Sequence, residues 1–219
     1  MVTHNILKNV LHLKNKKTTG SCFMIDSGKK PFFITARHII KKLKASDGIE
    51  MYLDQRWKKI YLTTVDHHPT ADVSVFETDL NINLPGLQTS VQKITQGQEV
   101  YFLGFPDHFQ PKKGTNPSAN NPLPMKKKAT ISCIIRDNNG HYLLLEGLNN
   151  PGFSGGPVVF QDPKDQTFKV AAIISGYKPS SQTNSPRGKL YPLSLSDKTG
   201  TILAYSVENA MDLIRKFRL

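Results

Sequence analysis

Apolar and polar positions alternate with a period of two over short stretches of this chain, with turn-forming residues between them. The stretches are "SCFMID", "PFFITA", "MYLD", "KIYLTTV", "DVSVFE", "EVYFLGF", "TISCIIR", "HYLLLE", "PVVFQ", "KVAAIIS" and "ILAYSV". Their β-branched and aromatic content predicts strands, and many short strands with turn signals between them argue for an all-β sandwich or barrel. Joins at "DSGKK" (26–30), "DNNG" (137–140) and "DPKD" (162–165) predict hairpins, with Asn139-Gly140 the clearest. The composition shifts over 78–98, which reads as a connector between two sets of strands, so two barrels of roughly 80 to 110 residues each fit the length. The segment from Pro106 to Lys128 is rich in Pro, Asn and Lys and reads as a long irregular loop. In "VENAMDLIRKFRL" the period changes: Ala210, Leu213, Ile214 and Phe217 recur at helical spacing and predict a terminal amphipathic helix packed on the barrels. There is no internal repeat.

Composition alters this picture little. The 219 residues are 38% hydrophobic and 21% charged, ordinary for a soluble globular protein, but the formal net charge is +12. The lysines come in pairs and triplets scattered along the whole chain, which reads mainly as solvated surface. Nucleic-acid or anionic-membrane binding is the alternative, and the nucleic-acid reading rests on charge alone because no aromatic-basic stacking motif accompanies it. Cys22 and Cys133 are too few for a disulfide framework, so free thiols are expected, with one bridge as the alternative. The first residues lack the apolar run and cleavage site of a secretory signal, and no later segment is long enough to span a membrane. A cytoplasmic protein is the default, secretion after processing the alternative.

Candidate chemistry centres on "NNPGFSGGPVV" (149–159), in which Ser154 lies among Gly152, Gly155 and Gly156. A glycine-rich hairpin turn is the bland reading. G-x-S-G-G-P should nevertheless arise by chance only roughly once in a million positions. A serine hydroxyl is a weak nucleophile that needs a base, and the base needs an orienting carboxylate. "PFFITARHII" places His38 just after a buried-looking strand, and "HPTADVSVFE" places Asp72 at the head of another. Asp66 competes with Asp72, and His67 and His68 suggest a metal site. However, adjacent histidines share one ion poorly and no further ligands complete a set, so no metal and no cofactor are expected.

The elements "GSCFMID", "ITARH", "ADVSVF", "GFP" (104–106), "PGFSGGPV" and "IISGY" together resemble the trypsin-like (chymotrypsin-fold) serine peptidases, and they occur in that family's order. The likeness is to the compact bacterial branch, similar to the HtrA-like catalytic domain. The resemblance implies two packed antiparallel six-stranded β-barrels: residues 1–88 carrying His38 and Asp72, residues 89–206 carrying Ser154, and a helix over 207–219. It implies a serine endopeptidase working through an acyl-enzyme, with His38 as general base and acid, Asp72 as its orienting partner and Ser154 as nucleophile. The N–H groups of Gly152 and Ser154 would form the oxyanion hole. Leu148, Ser175, Gly176 and Tyr177 would line the primary specificity pocket. With Leu148 where an aspartate would select Lys or Arg, an apolar floor is expected, and Glu146 is the residue that could supply a missing charge. Phe153 stands where vertebrate digestive members carry the acid of zymogen activation, and Ile39 where a cysteine often follows the histidine. Protein or peptide substrates are implied, and the oligomeric state stays open. A protease-fold binding module with an idle triad and a basic nucleic-acid-binding protein with accessory proteolysis are the competing functions.

Overall fold

Along strand β2 (Thr18–Ile25) the alternation serves two cores at once. Cys22 and Met24 point into the interior of one barrel, while Phe23 and Ile25 point outward into a second apolar layer. Both sides of the strand are therefore buried, which explains why the polar half of its period-two pattern is missing. The computed structural model describes residues 2–25, 31–80, 85–107, 122–137, 140–176 and 200–217.

The first barrel joins β1 (Val10–Asn15), β2, β3 (Phe32–Thr35), β4 (Gly48–Leu53), β5 (Arg56–His67) and β6 (Ser74–Thr78) in the closed order β1-β2-β3-β6-β5-β4. The second joins β7 (Glu99–Gly104), β8 (Met125–Asp137), β9 (Gly140–Glu146), β10 (Pro157–Gln161), β11 (Phe168–Ser175) and β12 (Thr201–Ser206) in the closed order β10-β11-β12-β9-β8-β7. Every pairing is antiparallel, and closure leaves neither sheet with a free edge. Leu11, Met24, Phe33 and Phe76 help fill the first interior, and Phe102, Leu145, Phe153 and Phe160 the second. Between the barrels lies a seam that includes Val10, Phe23, Ile34, Leu103, Phe105, Val159 and Ile173. The connector crosses this seam: Leu87 bridges Ile25 of the first barrel and Thr89 bridges Val170 of the second.

Helix α3 (Val207–Lys216) lays Ala210, Leu213 and Ile214 on the seam, as the helical spacing predicts. Its Ser206 cap accepts a hydrogen bond from Glu208 N–H at 3.2 Å. Phe217 ends the helix and stacks on Phe32 rather than entering the core. The 162–165 turn joins β10 to β11 as expected. Residues 26–30 and Asn139 lie outside the described residues, as does most of the 106–128 loop.

Strand β1 is absent from the sequence reading. In "VLHLKN" Leu11 and Leu13 face the first interior, but His12 sits on the opposite side, in the seam, stacked on Phe105 with ring centroids 5.0 Å apart. Trp57 covers its other flank at 4.8 Å, and neither ring nitrogen has a hydrogen-bond partner. A short helix, α1 (His4–Lys8), precedes the strand and buries Ile6.

Candidate active site

Strand β3 ends at Thr35, and Ala36 turns the chain into the single-turn helix α2 (Arg37–Ile40), which carries His38. Asp72 arrives from the turn before β6, adjacent to β3 in the first barrel. That turn is tied down from several sides. Arg37 donates through its guanidinium to the carbonyls of His68 (2.8 Å) and Pro69 (2.9 Å), and Arg37 N–H bonds Asp72 O at 3.2 Å. His68 Nδ1 accepts from Ala71 N–H at 2.9 Å. Asp72 is buried and its carboxylate accepts from His38 N–H at 2.8 Å, faces His38 Nδ1 at 2.7 Å, and accepts from the Ser175 hydroxyl at 2.6 Å. Tyr205 lies beside it: burial pushes the phenol up to about 12, and the Asp72 charge adds to that shift.

The rival residues have other contacts. Asp66 accepts from His67 N–H, and the His67 ring lies between the Ser74 hydroxyl (2.7 Å) and the Leu43 carbonyl (3.1 Å). Among the described residues no group of three or more His, Cys, Asp or Glu side chains is arranged to hold a metal ion.

Ser154 follows a turn whose carbonyls are nearly all bound. Lys127 donates to Leu148 O at 2.9 Å and to the Asn150 side chain, and its ammonium lies 5.3 Å from the Phe153 ring centre. Burial lowers the Lys127 pKa. Asp107 N–H bonds Pro151 O (3.0 Å), the Ser21 hydroxyl bonds Gly152 O (2.9 Å), Gly156 N–H bonds Phe153 O (2.9 Å) and Ser21 N–H bonds Ser154 O (2.8 Å). In a trans peptide the N–H points opposite to the C=O. With Pro151 O and Phe153 O directed at their donors, the N–H groups of Gly152 and Ser154 turn the other way. Neither has a backbone acceptor among the described residues. Gly152 reaches this shape at φ +96°, and a Cβ there would lie 2.2 Å from Phe105 O. Two backbone N–H groups with no backbone acceptor among the described residues thus lie within two positions of the Ser154 hydroxyl.

His38, Ser154 and Gly152 line one cleft of about 380 Å³. Ser175 and Gly176 also line it, but the Ser175 hydroxyl is turned onto Asp72, while Gly176 N–H donates to Ser154 Oγ at 3.1 Å. Leu148 is at the mouth with 77% of its surface exposed, so it forms a rim rather than the buried floor expected of it. The chain at 148–150 runs over the surface, where Lys127 holds it. Glu146 is exposed on β9 and does not line the cleft, and Tyr177 lies outside the described residues. Phe153 is fully buried in the second interior, edge-on to Phe102. Cys22 and Cys133 are both free thiols.

Sequence reading missed two residues that the structure draws to the site, Ser21 and the hydroxyl of Ser175. Each acts on a partner more than a hundred positions away, Ser21 on Gly152 and Ser175 on Asp72, and a lone serine in a strand carries no local signal of such a contact.

The fold is similar to that of the Rv3671c protease in its inactive form, with a TM-score of 0.63 over 96% of this chain and 89% of that one at 16% identity. A serine-to-alanine mutant of Rv3671c from M. tuberculosis H37Rv, also in its inactive form, gives 0.61 over 99% and 94% at 16% identity. The HtrA-type protease AlgW with tripeptide gives 0.64 over 96% of this chain at 20% identity, and only 62% of AlgW is spanned. No curated protein sequence is significantly similar to the chain. The sequence profile of the trypsin-like peptidase domain matches residues 20–164, two thirds of the length and the part that carries His38, Asp72 and Ser154, and on that match the chain belongs to the trypsin-like peptidase family.

Proposed function

We propose that the chain is a serine endopeptidase that cleaves through an acyl-enzyme. The observation that carries this reading is the relay Ser175 hydroxyl, Asp72 carboxylate, His38 Nδ1, with contacts of 2.6 and 2.7 Å, ending in the cleft that holds Ser154. Asp72 accepts from Nδ1–H and so selects the tautomer that carries its lone pair on Nε2, where it can take a proton. Ser154 Oγ accepts from Gly176 N–H and can still donate its own hydrogen.

As Oγ attacks the scissile carbonyl carbon, its proton passes to His38 Nε2 and the carbonyl π pair moves onto oxygen. The N–H groups of Gly152 and Ser154 bind that oxyanion. Collapse of the intermediate breaks the C–N bond, and His38 gives the proton to the departing amine. Water then attacks the ester with His38 again as base, releasing the acid and restoring Ser154.

Leu148, Ile202 and Leu203 line the cleft with Gly176, and the only carboxylate lining it among the described residues is that of Asp107, which accepts from the Thr19 hydroxyl. With Leu148, Ile202 and Leu203 offering no charge to a buried ammonium or guanidinium, cleavage after small or medium apolar residues is the preference proposed.

A fluorophosphonate probe tests the nucleophile without knowledge of the substrate. Labelling of wild type and none of Ser154→Ala is expected, with turnover of a peptide substrate falling on the order of a million-fold in the variant. Equal labelling of the two proteins would overturn the reading.

A further inference from the structure

We propose that Ser21 is a positioning residue for the oxyanion site, holding the nucleophile turn of the second barrel in register with the histidine of the first. The inference rests on the reading of Ser154 as nucleophile. Ser21 is fully buried on β2, and all its polar groups are committed across the seam or toward His38. Its hydroxyl donates to Gly152 O (2.9 Å) and accepts from Phe105 N–H (3.0 Å), and its own N–H bonds Ser154 O (2.8 Å). Its carbonyl accepts from Thr35 Oγ1 at 2.8 Å. Thr35 lies three positions before His38, so one residue is bonded both to the strand that delivers the base and to the turn that delivers the nucleophile.

The atom that Ser21 holds is specific. The two donors proposed for the oxyanion, Gly152 N–H and Ser154 N–H, are separated by the peptide that joins residues 152 and 153. Gly152 O belongs to that spacer peptide, and glycine's torsional freedom leaves the plane free to rotate unless an external group restrains it. The remaining restraint on its other side is the longer Phe153 N–H to Asn150 O bond, 3.3 Å. The hydroxyl of Ser21 therefore completes what the bonds to Pro151 O and Phe153 O begin, holding the spacer and with it the angle between the two donors. Room for it is made at Gly104, where a Cβ would come within 2.8 Å of Ser21 Oγ. Without the hydroxyl, Gly152 O loses its donor in a buried site, and the spacer is free to turn toward any other donor.

The test compares the full chain as wild type, Ser21→Ala, Ser21→Cys and Ser154→Ala. Peptide turnover, the rate of fluorophosphonate labelling, and affinity for both a peptide boronate and the matching product peptide are measured. Removing an oxyanion donor outright costs about 100- to 1,000-fold in turnover, so misaligning the pair should cost about 10- to 100-fold. The expected result for Ser21→Ala is that loss in kcat and in labelling rate, an equal loss in boronate affinity, and KM and product affinity within about threefold of wild type. A purely structural role would instead weaken product and boronate together. Ser21→Cys puts a bulkier, weakly donating thiol in place of the hydroxyl, so its kcat should fall between those of wild type and Ser21→Ala, and it serves as the deciding variant if Ser21→Ala does not fold. Unchanged kcat in a folded Ser21 variant, or parallel loss of product affinity, overturns the role of Ser21 and leaves the nucleophile reading intact. Wild type labelled no faster than Ser154→Ala overturns both.

Discussion

Lowering the pH from 7.5 to 5 should destabilise this protein through His12 alone by about 2 kcal/mol. Burial lowers the His12 pKa from 6.5 to about 4, with the Asp107 charge opposing the shift only in part. The folded state therefore binds a proton at this ring more weakly than the unfolded chain does, so stability rises with pH across the window from about 4 to 6.5. The contribution is fully present above the unfolded value, is reduced by about 2 kcal/mol at pH 5, and is lost by about 3 kcal/mol below pH 4. The physical cause is the seam. Stacked on Phe105, flanked by Trp57 and 6% exposed, the charged ring would have no acceptor for either N–H. The assay is urea unfolding followed by fluorescence of the single tryptophan, Trp57, in a Ser154→Ala background, which on the proposed mechanism cannot digest itself. His12→Leu serves as the reference, because other titrating groups, including His68, whose pKa burial also lowers, cancel in the difference. With a urea dependence of about 2 kcal/mol per molar, the midpoint of the histidine protein should drop about 1 M further than that of the leucine protein. Equal pH dependence of the two would refute a neutral, unpartnered ring in the seam.

A peptide-library profile should yield dominant cleavage after Val, Ala or Leu, and dominant cleavage after Lys or Arg would defeat the apolar pocket. Gly155→Ala should destabilise by more than about 3 kcal/mol in the same urea assay, because the residue sits at φ +83° and its Cβ would lie 2.1 Å from Ser21 O and 2.4 Å from Thr35 Oγ1. A midpoint within error of wild type would show that the turn relaxes without cost.

What could be read from the sequence was local. Strands with one face to an interior and the other to the seam still carry β-branched and aromatic runs, so "SCFMID" and "PVVFQ" are legible even though both faces are buried. His38, Asp72 and Ser154 stand out because each sits where a strand meets a turn of unusual composition. Strand β1 does alternate over Leu11, His12, Leu13 and Lys14, but it is short and lysine-rich at its end, and the alternation gives no sign that His12 is buried in the seam. Leu148 was placed by counting back from the serine, and counting cannot reveal that the chain there rides over a lysine at the surface. Ser21 and Ser175 owe their roles to contacts between distant segments, which no window of sequence contains.

The division of the site between two closed barrels also has a consequence in time. Ribosomes make the chain from the first residue onward, so the half bearing His38 and Asp72 is complete while the strands around Ser154 are still unmade. The hydroxyl that orients Asp72 from behind belongs to Ser175, later still. On the proposed mechanism the growing chain has no cutting power until Ser175 has been synthesised and the apolar seam has drawn the barrels together. On that mechanism the order of synthesis itself keeps the growing chain from attacking the polypeptides around it until both barrels have closed.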